Sequence, residues 1–203
     1  MILKETSDTL VSGDIFKSYY SKINKDKLSK LYKLLSGIYR NPIGSIIREY
    51  VSNAVDANTE AYDFKTKDYE TLRNEYTWIR EPLFNFTETS LAELKEHILI
   101  DNVKKPIIVN LSKSENTLSI QDFGIGISPE RLINIFINYL DSTKETSVLA
   151  IGAYGIGGKS AFNYTDSFFI NTIYNGVEYK WLIFKSNAGI PECKLLSQVE
   201  TTE

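Results

Sequence analysis

A glycine-rich segment, Gly152 to Ser160, constrains the fold of this chain more than any other feature. Four of its first seven residues are glycine, and Lys159 and Ser160 follow the last of them. Glycine has no Cβ atom, so successive amide groups can turn toward one point and bind an anion. A flexible hinge would need the glycines but not the Lys and Ser that follow. The segment therefore predicts a phosphate-binding loop that leads into a helix at Ser160 to Phe162.

The composition is that of an ordinary globular protein. The 203 residues are 42% hydrophobic and 24% charged with a net charge of −3, and no block of like charge indicates nucleic-acid binding. The single cysteine, Cys193, excludes an internal disulfide, and with the single histidine, His97, it leaves no basis for a zinc site or Cys–His catalysis. No apolar run approaches the ~18 residues of a membrane-spanning helix. We expect a cytoplasmic protein.

A helix predicted over Ile43 to Asn58, with Pro42 at its start, carries a second group of polar residues. Glu49, Asn53 and Asp56 are spaced i, i+4, i+7, which puts them within an arc of roughly 60°. A carboxylate can deprotonate a water molecule, and an amide oxygen can ligate Mg²⁺. A solvated face on an amphipathic helix would show the same spacing, so the helix alone leaves both interpretations open.

A shorter glycine motif runs from Asp122 to Gly126, with glycine at 124 and 126. Two glycines after a strand allow a flat ligand to approach the backbone, and Asp122 can accept a hydrogen bond from an exocyclic amine such as that of adenine. A tight turn in which Asp122 caps its own backbone explains the motif equally well.

Between these motifs the chain shows recognisable helix and strand signals. Ser128 is a predicted N-cap with Pro129 in the first helical position, and Asn175-Gly176 is a predicted hairpin turn. The other predicted elements are helices at 25–38 and 91–98 and strands at 107–111, 117–120, 167–172 and 177–184. Residues 59–105 are polar and Tyr-rich, and we interpret them as an insertion.

A P-loop is an alternative for the glycine-rich segment. Ala153 to Ser160 fits a degenerate Walker A motif, and the strand-like stretch Ser147 to Ile151 precedes it. Such an ATPase needs a later strand that ends in a Mg-binding Asp, and the residues after Ser160 contain no apolar run of that kind. A P-loop would also leave the two earlier motifs unexplained.

Taken in order, the three motifs resemble the boxes of the GHKL superfamily, which includes gyrase B-type topoisomerases, heat-shock chaperones, sensor histidine kinases and MutL. The resemblance is to the N box at Arg48 to Ala57 and to the two glycine boxes at Asp122 to Ser128 and Gly152 to Phe162. It implies an α+β chain with one ATP-binding domain over 1–203. The implied architecture is a two-layer sandwich, the Bergerat fold, in which helices cover one face of a mixed β-sheet. Residues 1–24 would be an N-terminal extension, 59–105 an insertion and 127–151 the ATP lid.

The resemblance also implies roles for individual residues. Glu49 would be the catalytic base, and Asn53 would bind both ATP and its Mg²⁺ ion. Asp122 would contact the adenine amine, and glycine amides would hold the terminal phosphate. The implied ATP-binding positions besides Asn53 are Asp56, Asp122, Gly124, Gly126, Ile127, Ser142, Thr143, Lys144, Gly152, Tyr154, Gly155, Ile156, Gly157, Gly158, Lys159 and Ser160.

The implied activity is Mg-dependent ATP hydrolysis, slow or absent in the domain alone, with ATP ordering the lid and driving homodimerisation. Related ATPases use a basic residue of a following domain, so we expect this chain to be the N-terminal part of a longer protein. They also place a Thr on a late strand beside the adenine-binding Asp, where the nearest residue here is Cys193. A nucleotide-binding interaction module without turnover and a histidine-kinase-type catalytic module are the alternatives; the latter leaves His97 within the insertion.

A narrower resemblance covers Lys30 to Pro42, which is similar to the opening of the phage rIIA proteins. These GHKL-containing proteins are linked to membrane integrity and the exclusion of other phages. The similarity implies a viral protein in the host cytoplasm, associated with the membrane through other regions.

Overall fold

The computed structural model describes residues 17–20, 42–137, 157–187 and 191–201. Helices and antiparallel β-strands make up these ranges, which confirms the α+β class. The predicted helix at 25–38, the rIIA-like residues 30–41 and most of the expected lid, 138–151, lie outside the described residues.

The longest element is helix α1, Pro42–Thr66. It begins at Pro42 as predicted, but the predicted end at Asn58 was wrong, because the helix continues for two further turns. Ala61 and Phe64 are fully buried and extend the apolar stripe that Ile46 begins. Burial of this apolar stripe stabilises the helix beyond Asn58, although polar residues lie between its members in the sequence.

The insertion is a compact helical unit that packs on the C-terminal half of α1. After α1 it contains α2 Tyr69–Glu75, a 3₁₀ helix Thr77–Arg80, α3 Glu88–His97 and α4 Ile100–Val103. The short helix predicted at 91–98 is therefore confirmed, whereas the other helices were not predicted. Their shared core combines aliphatic side chains with an aromatic cluster, in which Phe64 is stacked on Trp78 at 5.7 Å between ring centroids.

The strands form two separate antiparallel sheets. They are β1 Lys17–Tyr20, β2 Ile108–Ser112, β3 Thr117–Gln121, β4 Ser167–Tyr174, β5 Val177–Lys185 and β6 Pro191–Glu200. Four of them pair in the order β1-β6-β5-β4, while β2 and β3 form a hairpin. All pairings in the described ranges are antiparallel, so the mixed sheet implied by the resemblance is not seen there.

The predicted turn at Asn175-Gly176 joins β4 and β5. Both residues have positive φ, 50° and 74°, as a type I′ hairpin turn requires.

Short helices cover one face of the four-stranded sheet. Helix α5, Pro129–Arg131, continues into a π-helical stretch, Leu132–Phe136, and a second 3₁₀ helix spans Gly157–Asn163. The predicted N-cap is confirmed, since the Ser128 hydroxyl accepts a hydrogen bond from the amide of Arg131. Side chains from both layers form a common core, namely Leu132, Ile137, Phe162, Trp181, Ile183 and Cys193.

None of the helices in the described ranges combines the length and the apolar character needed to cross a bilayer.

Candidate functional site

The first glycine loop, Asp122 to Gly126, lies directly against α1. A Cβ atom added to Gly124 would be 2.6 Å from the Cβ of Ala57, so only glycine permits this approach. The amide of Phe123 also donates a hydrogen bond of 2.9 Å to Oδ1 of Asn58, the next residue of the helix. Backbone packing and a side-chain hydrogen bond together hold the start of the loop on α1.

The far end of the first glycine loop lies against strand β4. Gly126 has a φ of +75°, and a Cβ there would overlap the carbonyl oxygen of Ile173. The next amide, that of Ile127, donates a hydrogen bond of 2.8 Å to the hydroxyl of Thr172. The glycine spacing in the sequence is therefore explained by close contacts on both sides of the loop.

The structure describes the second glycine loop from Gly157 onward. This part of the loop contacts α1 near the N-terminal end of the helix. The hydroxyl of Tyr50 donates a hydrogen bond of 2.7 Å to the carbonyl oxygen of Gly158. Burial raises the pKa of Tyr50, so the hydroxyl keeps its proton and remains a donor at all ordinary pH values. A Cβ atom at Gly158 would be 2.7 Å from the Phe136 ring, which accounts for glycine at this position.

The polar face of α1 is not a fully solvated surface. Asp56 is only 9% exposed, the side chain of Glu49 is 24% exposed, and Asn53 is half-buried. The carboxylate of Glu49 lies 3.7 Å from Arg48, whose side chain is 69% exposed, and such a surface pair contributes little stability. This partial burial disfavours the interpretation of a freely solvated face.

Helix α1 presents the predicted residues in a definite order. Tyr50 contacts the second glycine loop and Ala57 contacts the first, two turns further along the helix. Asn53 lies between these two contacts, one turn before Ala57 and about 6 Å from it along the axis. Glu49 is adjacent to Tyr50, at the end of the helix that holds the second loop.

Asp122 is exposed, and its Oδ1 accepts a hydrogen bond of 2.9 Å from the amide of Gly124. This is the self-capping turn that the sequence left open as an alternative. An ionised carboxylate has about four acceptor positions, so the same contact also orients Asp122 for a further donor.

Seven of the sequence-predicted ATP-binding residues lie outside the described ranges: Ser142, Thr143, Lys144, Gly152, Tyr154, Gly155 and Ile156. The second 3₁₀ helix begins earlier than predicted. The sequence predicted a helix from Ser160, whereas the first half of this helix consists of Gly157, Gly158, Lys159 and Ser160. Ser160 is 3% exposed.

The structure places Cys193 in the hydrophobic core and a different residue, Thr172, against the first glycine loop. Cys193 is fully buried between the register partners Tyr19 on β1 and Ile183 on β5. Burial, with the neighbouring charge of Glu192, raises the pKa of its thiol to about 12. Tyr50, Asn58 and Thr172 are the loop contacts that sequence reasoning missed, because each joins segments distant in the chain.

Two further expectations concern metals and His97. Within the part of the chain that the structure describes, no group of three or more His, Cys, Asp or Glu side chains could hold a metal ion. His97 ends α3, and its ring lies close enough to Gly176 that a Cβ there would be 2.6 Å from Cε1.

The antiparallel pairing of the four-stranded sheet is evidence against the P-loop alternative. A P-loop lies between a strand and a helix of a parallel sheet, whereas β4, β5 and β6, which follow the second glycine loop, are all antiparallel. They end at Tyr174, Lys185 and Glu200, none of which is the Asp that a P-loop enzyme requires. The arrangement therefore disfavours a P-loop.

Compared with known proteins, the chain matches no family model and no curated protein.

Proposed function

We propose that this chain is the Mg-ATP-binding domain of a GHKL-type ATPase, in which ATP binding orders a lid and promotes dimerisation. The observation that supports this most directly is the order of contacts along α1. The first glycine loop meets the helix at Ala57, the second meets it at Tyr50, and Asn53 lies between them. A nucleotide that lies along the helix would thus have its base near one loop and its terminal phosphate near the other.

Asn53 is the residue proposed to hold the metal. Mg²⁺ in nucleotide sites takes few protein ligands and shares the nucleotide's phosphate oxygens, so a single amide oxygen fits this role. The half-buried position of Asn53 between the two loops agrees with such a contact. The ion would offset negative charge that develops on the phosphates.

Glu49 is proposed to orient and deprotonate the attacking water. It lies beside Tyr50, the residue that holds Gly158 of the second loop, and so at the end of α1 where the terminal phosphate would be. Its side chain is partly exposed, which allows contact with a water molecule.

The first glycine loop is proposed to bind the base. Asp122 is exposed and oriented by the amide of Gly124, so its carboxylate can accept a hydrogen bond from the adenine amine. Guanine carries a carbonyl oxygen where adenine carries its amine, so this contact would favour ATP over GTP.

We also propose that the chain has the Bergerat type of fold. It is supported by the helices around Leu132 and Phe162, which pack on one face of the four-stranded sheet, and by a long helix that contacts both glycine loops.

The proposal is tested by titrating the 203-residue protein with a non-hydrolysable ATP analogue, with and without Mg²⁺, while its melting temperature is measured. A ligand at ~100 times its Kd stabilises a protein by roughly 2.7 kcal/mol, which gives a clear upward shift. Asn53→Ala should remove most of the Mg²⁺-dependent part of this shift. Asn74→Ala, on the exposed surface of α2, is the matched control and should bind like the unaltered protein. No shift with saturating analogue and Mg²⁺ would exclude the proposal.

A further inference from the structure

The segment from Asp122 to Arg131, which contains the first glycine loop, is held by the insertion at three separate points. The first is Asn58, at the junction of α1 and the insertion. Its Oδ1 accepts the hydrogen bond from the amide of Phe123, and its Nδ2 donates to the carbonyl oxygen of Val103 at 3.4 Å. One amide group thus ties the start of the loop to the end of α4.

The second point is Ile125, the residue between the two glycines of the loop. Its side chain is 3% exposed and belongs to the hydrophobic core of the insertion, together with Phe64, Trp78 and Val103. The apolar side of the loop therefore faces the insertion, while Gly124 packs on Ala57 of α1 and Gly126 packs on Ile173 of β4.

The third point is Arg131, the last residue of α5. Its guanidinium group lies 4.5 Å from the centre of the Trp78 ring, and its Nη2 atom lies 3.4 Å from Oε2 of Glu60. The other oxygen of Glu60 accepts a hydrogen bond of 2.9 Å from the indole of Trp78. Three residues from α1, the insertion and α5 thus form one closed cluster.

This cluster is buried, and its burial determines whether it contributes stability or a fixed geometry. The side chains of Arg131 and Glu60 are 12% and 8% exposed. The Nη1 atom of Arg131 is also buried, and among the described residues it has no hydrogen-bond partner. Removing two charges from water costs about as much as their attraction returns, so apolar residues of the same size usually give equal stability. A planar ion pair instead fixes the relative position of the elements that it joins, because the guanidinium, carboxylate and ring fit together in few ways.

We propose that the insertion positions the first glycine loop for its ligand and so sets the selectivity for the purine base, with Arg131 as the positioning residue. This inference rests on the proposed ATP site. Arg131 does not contact the ligand; it fixes α5 against Trp78, and α5 starts two residues after Ile127, whose amide is held by Thr172. A shift of α5 moves Gly126 and, through the loop, the carboxylate of Asp122.

The test measures the Kd of ATP and of GTP, each with Mg²⁺, by calorimetry for the unaltered protein and for Arg131→Met. The substitution keeps the length and apolar stem of the side chain but removes the charge and the planar group. We expect the preference for ATP over GTP to fall by about tenfold, the effect of one hydrogen bond to the base. The ratio is informative because a mere loss of stability weakens both nucleotides equally.

Two companion variants separate positioning from stability. In Glu60→Gln combined with Arg131→Met the buried charges are absent and the amide oxygen still accepts the hydrogen bond from the indole of Trp78, so we expect a melting temperature near that of the unaltered protein together with the same loss of selectivity. Arg131→Lys keeps the charge and should restore part of the selectivity. The matched control is Arg73→Met in the same insertion, since Arg73 lies 3.9 Å from Glu70 on an exposed surface and should leave both affinities unchanged.

The outcomes distinguish the two proposals. If the unaltered protein binds neither nucleotide, the proposed function fails and this inference fails with it. If it binds ATP selectively and Arg131→Met retains that selectivity, this inference alone is wrong. Hydrogen exchange at the amides of Phe123 and Ile127 gives a second reading, since a loop released from the insertion should exchange faster in Arg131→Met than in Arg73→Met.

Discussion

The hydroxyl of Tyr50 and the carbonyl oxygen of Gly158 are joined by a hydrogen bond of 2.7 Å, although the two residues are 108 positions apart in the chain. This bond connects α1 to the second glycine loop. Together with the contact between Ala57 and Gly124, it makes one helix the common support of both loops.

Tyr50→Phe removes this bond and leaves the ring in place. We expect the free energy of unfolding to fall by about 1 kcal/mol, because the Gly158 carbonyl loses its partner in a partly buried site. ATP affinity should fall as well, since the second loop is less well held. Urea unfolding and nucleotide titration measure the two effects. Tyr62→Phe is the control, because Tyr62 is on the same helix but 47% exposed; equal effects of the two substitutions would contradict the prediction.

Gly126→Ala should destabilise the protein strongly. A residue with a Cβ atom at a φ of +75° is strained by roughly 1–2 kcal/mol, and the added atom would also overlap the backbone of Ile173. The expected result is a large drop in melting temperature. Gly44→Ala serves as the control, because Gly44 is an exposed residue of α1 and alanine there should be neutral or stabilising by up to about 1 kcal/mol. A normal melting temperature for Gly126→Ala would show that the loop does not adopt this conformation.

Glu49→Gln should preserve binding of ATP and abolish its hydrolysis. The amide has nearly the same shape as the carboxylate but cannot accept the proton of the attacking water. Phosphate release with the protein in excess over ATP reports a single turnover, and calorimetry reports the binding. Glu93→Gln, an exposed change on α3, should release phosphate at the unaltered rate. Phosphate release that Glu49→Gln leaves unchanged would remove Glu49 from the mechanism.

Cys193 should be unreactive in the folded protein and should make stability fall at alkaline pH. Burial raises the pKa of its thiol from 9.0 to about 12, so between these values the folded state keeps a proton that the unfolded chain releases. The contribution of the protonated thiol to the free energy of unfolding is complete below pH 9. It is lost as the pH rises toward 12, by up to about 1.4 kcal/mol per pH unit.

Two measurements check this. The thiol should react slowly with a disulfide reagent in the native protein and rapidly in urea. In Cys193→Ala the free energy of unfolding should decline less steeply above pH 9 than in the unaltered protein. Burial also raises the pKa of several tyrosines, but these groups are present in both proteins and affect both alike. Equal slopes, or rapid modification of the native protein, would place the thiol outside the core.

Local patterns predicted several elements because their causes are local. Pro42 at the start of α1, the N-cap Ser128 and the Asn175-Gly176 turn all act within a few residues, so the sequence indicates them directly. The same is true of the i, i+4, i+7 spacing of Glu49, Asn53 and Asp56.

The extension of α1 through Thr66 was missed for the opposite reason. Glu60 and Asp63 interrupt the apolar pattern, yet both are buried, because Trp78 donates a hydrogen bond to Glu60 and Tyr76 donates one to Asp63. A buried carboxylate is stable only with such partners. These partners come from the insertion, so the helix signal in this region depends on contacts that no local window contains.

The sequence by itself determined the elements and the chemical groups that they carry: an acidic helix, two glycine loops and the turns between strands. Only the tertiary structure decided that α1 holds both loops, that Thr172 rather than Cys193 meets the first of them, and that the insertion surrounds Ile125 and Arg131. Backbone conformation follows from neighbouring residues, whereas the position of a loop follows from burial and pairing with residues far away in the chain.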